Sequence, residues 1–97
     1  MNLAAFDAFV KVMETGSISI AAEHLFITQP AVTKRIHSLE DYFGVKLFES
    51  AGRGIQPTHA AHSLLPKVKI WLNELGEIHY TLSHEQAQVQ GRLKIGT

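Results

Sequence analysis

Between Thr28 and His37 the chain reads TQPAVTKRIH and sets an amide, two hydroxyls, an ammonium, a guanidinium and an imidazole within about three turns. This stretch is equipped to recognise a partner by hydrogen bonds and charge. Gln29 matches the donor and acceptor of an adenine edge, Lys34 suits guanine or a phosphate, and Thr33 suits a thymine methyl or a phosphate. A second cation, Arg53, is held between Gly52 and Gly54. There it is free to reach a phosphate or a minor groove.

Other chemistries find less support. His59 and His62 are three apart on one helical face, as metal ligands could be, but no cysteine exists and no carboxylate completes a set. The chain has no lysine-bearing phosphate loop, no His-Glu-x-x-His and no serine elbow. An enzyme, a metal centre and a bound cofactor are therefore not expected.

The polar groups need a rigid support, and the sequence supplies one. At about 100° per residue, Val32, Ile36, Leu39 and Phe43 fall in one apolar sector opposite Pro30, Lys34 and His37, with Ala31 and Thr33 at the flanks. This helix should pack by one face and read by the other. Thr28 or Gln29 caps it, and Pro30 in the first turn removes an N–H that has no intrahelical partner. Glu40 and Asp41 on the outward side would repel phosphates at its C-terminal end, which favours the N-terminal half. The short helix SISIAAEHL precedes it across a tight turn at Phe26 and Ile27, with Ile20 and Leu25 as expected anchors.

Upstream, Leu3, Phe6, Phe9, Val10 and Met13 recur at helical spacing, and Gly16 and Ser17 supply a stop and a new cap. Downstream of Gly44, Leu47 and Phe48 open a strand, Gly52 and Gly54 turn it, and Ile55 and Gln56 return it as an edge strand ending at Pro57. Thr58 then caps a long helix in which Ala61, Leu64, Val68, Trp71, Leu75, Ile78 and Leu82 alternate three and four apart. That seam predicts a dimer interface. Pro66 should bend the helix, Gly91 should end it, and RLKIGT alternates like the start of a strand.

With 97 residues the chain holds one small domain and an appendage. Nine basic residues balance nine acidic ones, so a grip on nucleic acid must come from local placement rather than net charge. The same neutrality keeps open a helical protein–protein interaction module that binds no DNA. No apolar run approaches the length of a membrane span, and a cysteine-free chain suits the cytoplasm.

The motifs ETGSISIAAEHLFITQPAVTKRIHSLEDYFGVKLFE, then GRGIQPTHAA, then the long helix and GRLKIG, resemble in order the DNA-binding region of LysR-type transcriptional regulators. The resemblance implies a mainly α fold: a winged helix-turn-helix of three helices and a two-stranded wing over 1–57, then a long linker and dimerisation helix over 58–90. Residues 91–97 would be the hinge and first strand of an effector-binding domain beyond this sequence. It further implies a homodimer on double-stranded DNA at an interrupted inverted repeat, a larger oligomer for the full-length protein, and a small-molecule inducer acting only through that further domain. The family's groove-reading positions fall on Thr28, Gln29, Pro30, Ala31, Thr33 and Lys34, with Arg35 and His37 alongside and the wing contact on Arg53. Ser50 and His37 stand where the family often has arginine, and the linker opens Pro57-Thr58-His59-Ala60-Ala61 instead of the usual pattern. The Ser50 and His37 departures imply a lighter grip on the DNA backbone, and the linker departure a different join between wing and linker.

Overall fold

The computed structural model describes the backbone of residues 3–96 and the side chains of residues 3–85. Its elements are α1 (Leu3–Thr15), α2 (Ile18–Leu25), α3 (Gln29–Phe43), β1 (Phe48–Ala51), β2 (Gly54–Pro57) and α4 (His59–Gly96). This is the expected mainly helical order, with three helices, a two-stranded wing and a long helix.

Each helix boundary has a local cause. Gly16 takes a left-handed φ of 71° and its N–H closes on the Val12 carbonyl at 2.8 Å, after which the Ser17 hydroxyl accepts from the Ile20 N–H. The α2 end is less usual, because Phe26 itself occupies the left-handed region at φ 58°. Its N–H and that of Ile27 return to the carbonyls of Glu23 and Ala22, so the last turn of α2 is closed without a glycine. Thr28 Oγ1 caps α3 by accepting from Ala31 N–H at 3.2 Å, and Gly44 (φ 69°) ends it.

The core lies where α1, α2 and α3 meet, with Phe9, Val12, Val32, Leu39 and Leu47 fully buried. The α1 stripe is wider than its large residues suggested, since Ala5 and Ala8 are buried with Phe6 and Phe9 while Leu3 is exposed. In α2 the small residues do the packing. Ala21 and Ala22 are buried, Leu25 is half-buried, and Ile20, expected as an anchor, is 43% exposed. Close approach of α1 and α3 leaves the fully buried positions of this short helix to methyl groups, with Ile18 and Leu25 packed at the margin.

Glu40 also departs from expectation. It is 8% exposed and points into the domain, where its Oε2 accepts hydrogen bonds from the backbone N–H groups of Leu47 (2.8 Å) and Phe48 (3.3 Å). The carboxylate satisfies the donor just before β1 and the first donor of that strand, and fixes α3 to the base of the wing. Of the two acids expected on the outward side, only Asp41 is exposed.

In the wing, Phe48, Glu49, Ser50 and Ala51 pair antiparallel with Pro57, Gln56, Ile55 and Gly54. That register leaves Gly52 and Arg53 as the two-residue turn, and Gly52 meets its requirement for positive φ (62°).

The long helix does not stand free of the domain, as the seam predicted. Ala61 and Val68 are buried, and Leu64, Leu65 and Leu72 pack partly buried on the same core, so the first third of α4 turns a 3.6-residue stripe inward. Ala61 and Val68, expected on the dimer seam, are thus covered within the chain itself, while Leu64 keeps part of its surface open. Trp71 meets the Phe6 ring edge-on at 4.8 Å but remains 42% exposed, Leu75 is half-buried, and Ile78 and Leu82 are exposed. A seam repeating every 3.5 residues drifts around a straight helix, which carries its later members off the domain. The helix also continues through Gly91 to Gly96, where a break and a strand were expected. One helical glycine costs only about 1 kcal/mol, too little to end a helix by itself.

Candidate nucleic-acid interface

Burial of Val32, Ile36 and Leu39 fixes which side of α3 is left outward. Thr28, Gln29, Pro30, Lys34 and His37 are exposed, while Ala31, Thr33 and Arg35 are half-buried. Gln29, Pro30, Thr33, Lys34 and His37 together line one shallow concavity. Thr28 sits at its upper edge as the cap, and Arg35 lies round the helix toward the packed side. The structure therefore brings five of the expected contact residues into one surface and leaves Arg53 on a separate element, at the exposed wing tip.

His37 joins the two parts. Besides that concavity, it lines the cleft between α3 and the wing with Thr33, Lys46, Glu49 and Ser50. Its Nε2 is 4.0 Å from Glu40 Oε1, so an exposed imidazole lies over the carboxylate that clasps the wing.

Pro30 narrows this surface sterically, and its fixed φ suits the first turn. The Thr28 cap consumes one terminal N–H, that of Ala31. Pro30 has no N–H and the Val32 N–H returns to the Thr28 carbonyl, so in the first turn the Gln29 N–H and the positive end of the helix dipole are what favour an anionic partner, and the inward turn of Glu40 removes a charge that would have opposed one.

Two residues of this surface escaped sequence reasoning. Ser19, in the first turn of α2, accepts a hydrogen bond from Gln29 Nε2 at 3.4 Å. Ten positions separate them, and only the packing angle between α2 and α3 brings them together. Phe26 is 94% exposed at the turn, although its type suggests a core residue. Its left-handed φ turns the ring away from the domain. Among the described residues, no group of three or more His, Cys, Asp or Glu could hold a metal ion, and no helix is long and apolar enough to cross a membrane.

Two helices joined by the three residues Phe26, Ile27 and Thr28, with the second capped and exposed along a polar face and a glycine-turned hairpin behind it, define a winged helix-turn-helix domain. The model of the bacterial regulatory helix-turn-helix proteins of the lysR family matches residues 3–62, and the chain belongs to that family. An uncharacterized helix-turn-helix transcriptional regulator of Azotobacter vinelandii is 43% identical over 97 residues, covering all of this chain and 67% of that protein. The regulator TfdS of Cupriavidus pinatubonensis is 40% identical over 91% of this chain, which spans only 30% of TfdS. Among solved structures, the CbnR DNA-binding domain in complex with DNA superposes with a TM-score of 0.78 at 33% identity, covering 90% of this chain and 99% of that one. This family is one of transcriptional regulators and not of enzymes.

Proposed function

We infer that the chain binds double-stranded DNA in a sequence-selective manner, as the DNA-binding part of a cytoplasmic transcriptional regulator, with α3 laid N-terminus first in the major groove. The observation that carries this reading is the single concavity of Gln29, Pro30, Thr33, Lys34 and His37, exposed opposite the buried Val32, Ile36 and Leu39. Its support from kinship is the DNA-bound CbnR domain of the same shape. In this reading Gln29, Thr33 and Lys34 meet base edges or adjacent phosphates, Thr28, Pro30 and Ala31 set how closely the backbone approaches, and His37 and Arg35 serve the phosphate side. Arg53 reaches a phosphate or the minor groove from the wing tip.

The active form is a homodimer. Trp71, Leu75, Ile78 and Leu82 continue along α4 beyond the part used by the core, and Ile70 and Tyr80 add further exposed apolar surface. Pairing this half of α4 with a second copy covers that surface and places two reading helices on one side of the duplex. The target is then an interrupted inverted repeat with half-sites about one helical turn apart.

Sites selected from a random duplex pool, followed by gel shift against competitor DNA, test the reading. A selected inverted repeat bound in the presence of competitor is the expected result. Binding equally to all duplexes, or to none, overturns it and leaves the long helix as a protein–protein module.

A further inference from the structure

His37 is shared by three neighbouring depressions on the outward side of α3. It lines the reading concavity with Gln29 and Lys34, the cleft against the wing with Lys46 and Glu49, and the hollow at the end of the helix with Asp41. Its place along α3 decides what it meets on a duplex. It follows Gln29 by eight residues, which is about 12 Å of helix axis, against a major groove about 8.5 Å deep. With the N-terminus of α3 at the base edges, the imidazole stands at the lip of the groove, beside the phosphates.

On its other side the ring already has an anion. Nε2 lies 4.0 Å from Glu40 Oε1, while Oε2 of that carboxylate accepts from Leu47 and Phe48 N–H. The further charges around the ring are of both signs: Lys34 one turn below on α3, Asp41 one turn above, Lys46 before β1 and Glu49 on β1. From α2 and β2 come the uncharged Ile18 and Ile55. With duplex bound, the imidazole therefore lies between two anions, a carboxylate and a phosphate. A neutral imidazole has one N–H and one lone pair, so it donates to one anion and turns its lone pair to the other. The protonated ring donates to both.

Resting on the DNA-reading function above, we propose that His37 is a proton-gated phosphate contact, so that the chain holds its duplex more tightly as pH falls. Binding takes up a proton, because a second anion beside the ring favours its charged form. The extra affinity is present at low pH and is lost as pH rises through the range of about 5 to 8 in which histidine changes charge.

The experiment is a set of gel-shift titrations of the selected duplex at about pH 6 and about pH 8, each over a series of salt concentrations, with the wild type, His37→Gln and His37→Arg. The ring is exposed, so all three chains should fold, and circular dichroism checks that they do. The other five histidines are common to every chain, and comparison at one pH cancels them. The wild type should bind about three- to tenfold more tightly than His37→Gln at the lower pH and within about twofold of it at the higher, the difference between a charged and a neutral hydrogen bond. Its slope of log affinity against log salt should exceed that of His37→Gln by about one at the lower pH only. His37→Arg, charged throughout, should keep the tighter binding and the steeper slope at both. A wild-type advantage that is equal at the two pH values, or absent at the lower one, overturns the proposal. So does a His37→Arg chain that loses affinity with rising pH as the wild type does. A wild-type chain that selects no site at all removes the DNA-reading function itself, an outcome separate from these.

Discussion

The Glu40 carboxylate and the Leu47 backbone N–H are 2.8 Å apart, and this bond ties the reading helix to the wing. Both partners are buried, and the same oxygen also accepts from Phe48 N–H at 3.3 Å. Glu40→Ala would strand two backbone donors beneath α3. The expected loss is about 2–3 kcal/mol, the range for hydrogen bonds to a charged group plus an unsatisfied donor. Glu40→Gln, which keeps one acceptor oxygen, should cost less. Urea midpoints at unchanged m-value check the order.

Phe26 shows the opposite balance. A non-glycine residue in the left-handed region is strained by about 1–2 kcal/mol, and at 94% exposure the ring recovers little by packing. Phe26→Asn, which tolerates that backbone, should stabilise the free domain by about 0.5–1 kcal/mol. Thermal unfolding of the two chains compares them directly, and a lower melting temperature for the variant would mean that the ring packs after all.

The two halves of α4 should answer the same substitution differently. Val68 is 3% exposed, so Val68→Asp buries an unpaired charge in the domain and should unfold it. Ile78 is 53% exposed, so Ile78→Asp should leave the fold intact and separate the dimer. Circular dichroism reports the first effect and sedimentation at micromolar concentration the second. An Ile78→Asp chain that sediments as the wild type does would move the interface elsewhere.

Arg53 stands at an exposed two-residue turn, with no base-reading partner near it on the wing. Arg53→Ala should weaken selected and unrelated duplexes alike, and it should lower the slope of log affinity against log salt by about one for a lost phosphate contact. A loss confined to one base position would assign it to direct reading.

The order of elements was legible because each boundary carries its own chemistry: Gly16 with Ser17, Thr28 with Pro30, and the two glycines around Arg53. The outward face of α3 was legible for the same reason, since Val32, Ile36 and Leu39 leave only one side free. Glu40 was misread because a wheel places a carboxylate by angle alone, without the Leu47 and Phe48 donors that draw it inward. The packing of the first part of the α4 seam on its own domain was not legible, because a heptad pattern looks alike whether a domain or a second chain covers it. Ser19 gave no signal, as its contact with Gln29 exists only once α2 and α3 have docked.

Thr58 makes four bonds at the root of α4: its N–H donates to the Leu47 carbonyl (2.9 Å), its hydroxyl donates to the Lys46 carbonyl (2.6 Å), the same oxygen accepts from Ala61 N–H (3.3 Å), and its carbonyl accepts from His62 N–H (3.2 Å). Mechanically this is the fulcrum of a lever. A helix of 38 residues is about 57 Å long, so a tilt of about 10° at Thr58 sweeps the far end through about 10 Å. That sweep equals about three base-pair steps of duplex. In the inferred dimer, the angle that Thr58 sets together with the packing of Ala61 and Val68 on the core becomes the gauge of how far apart two half-sites can lie.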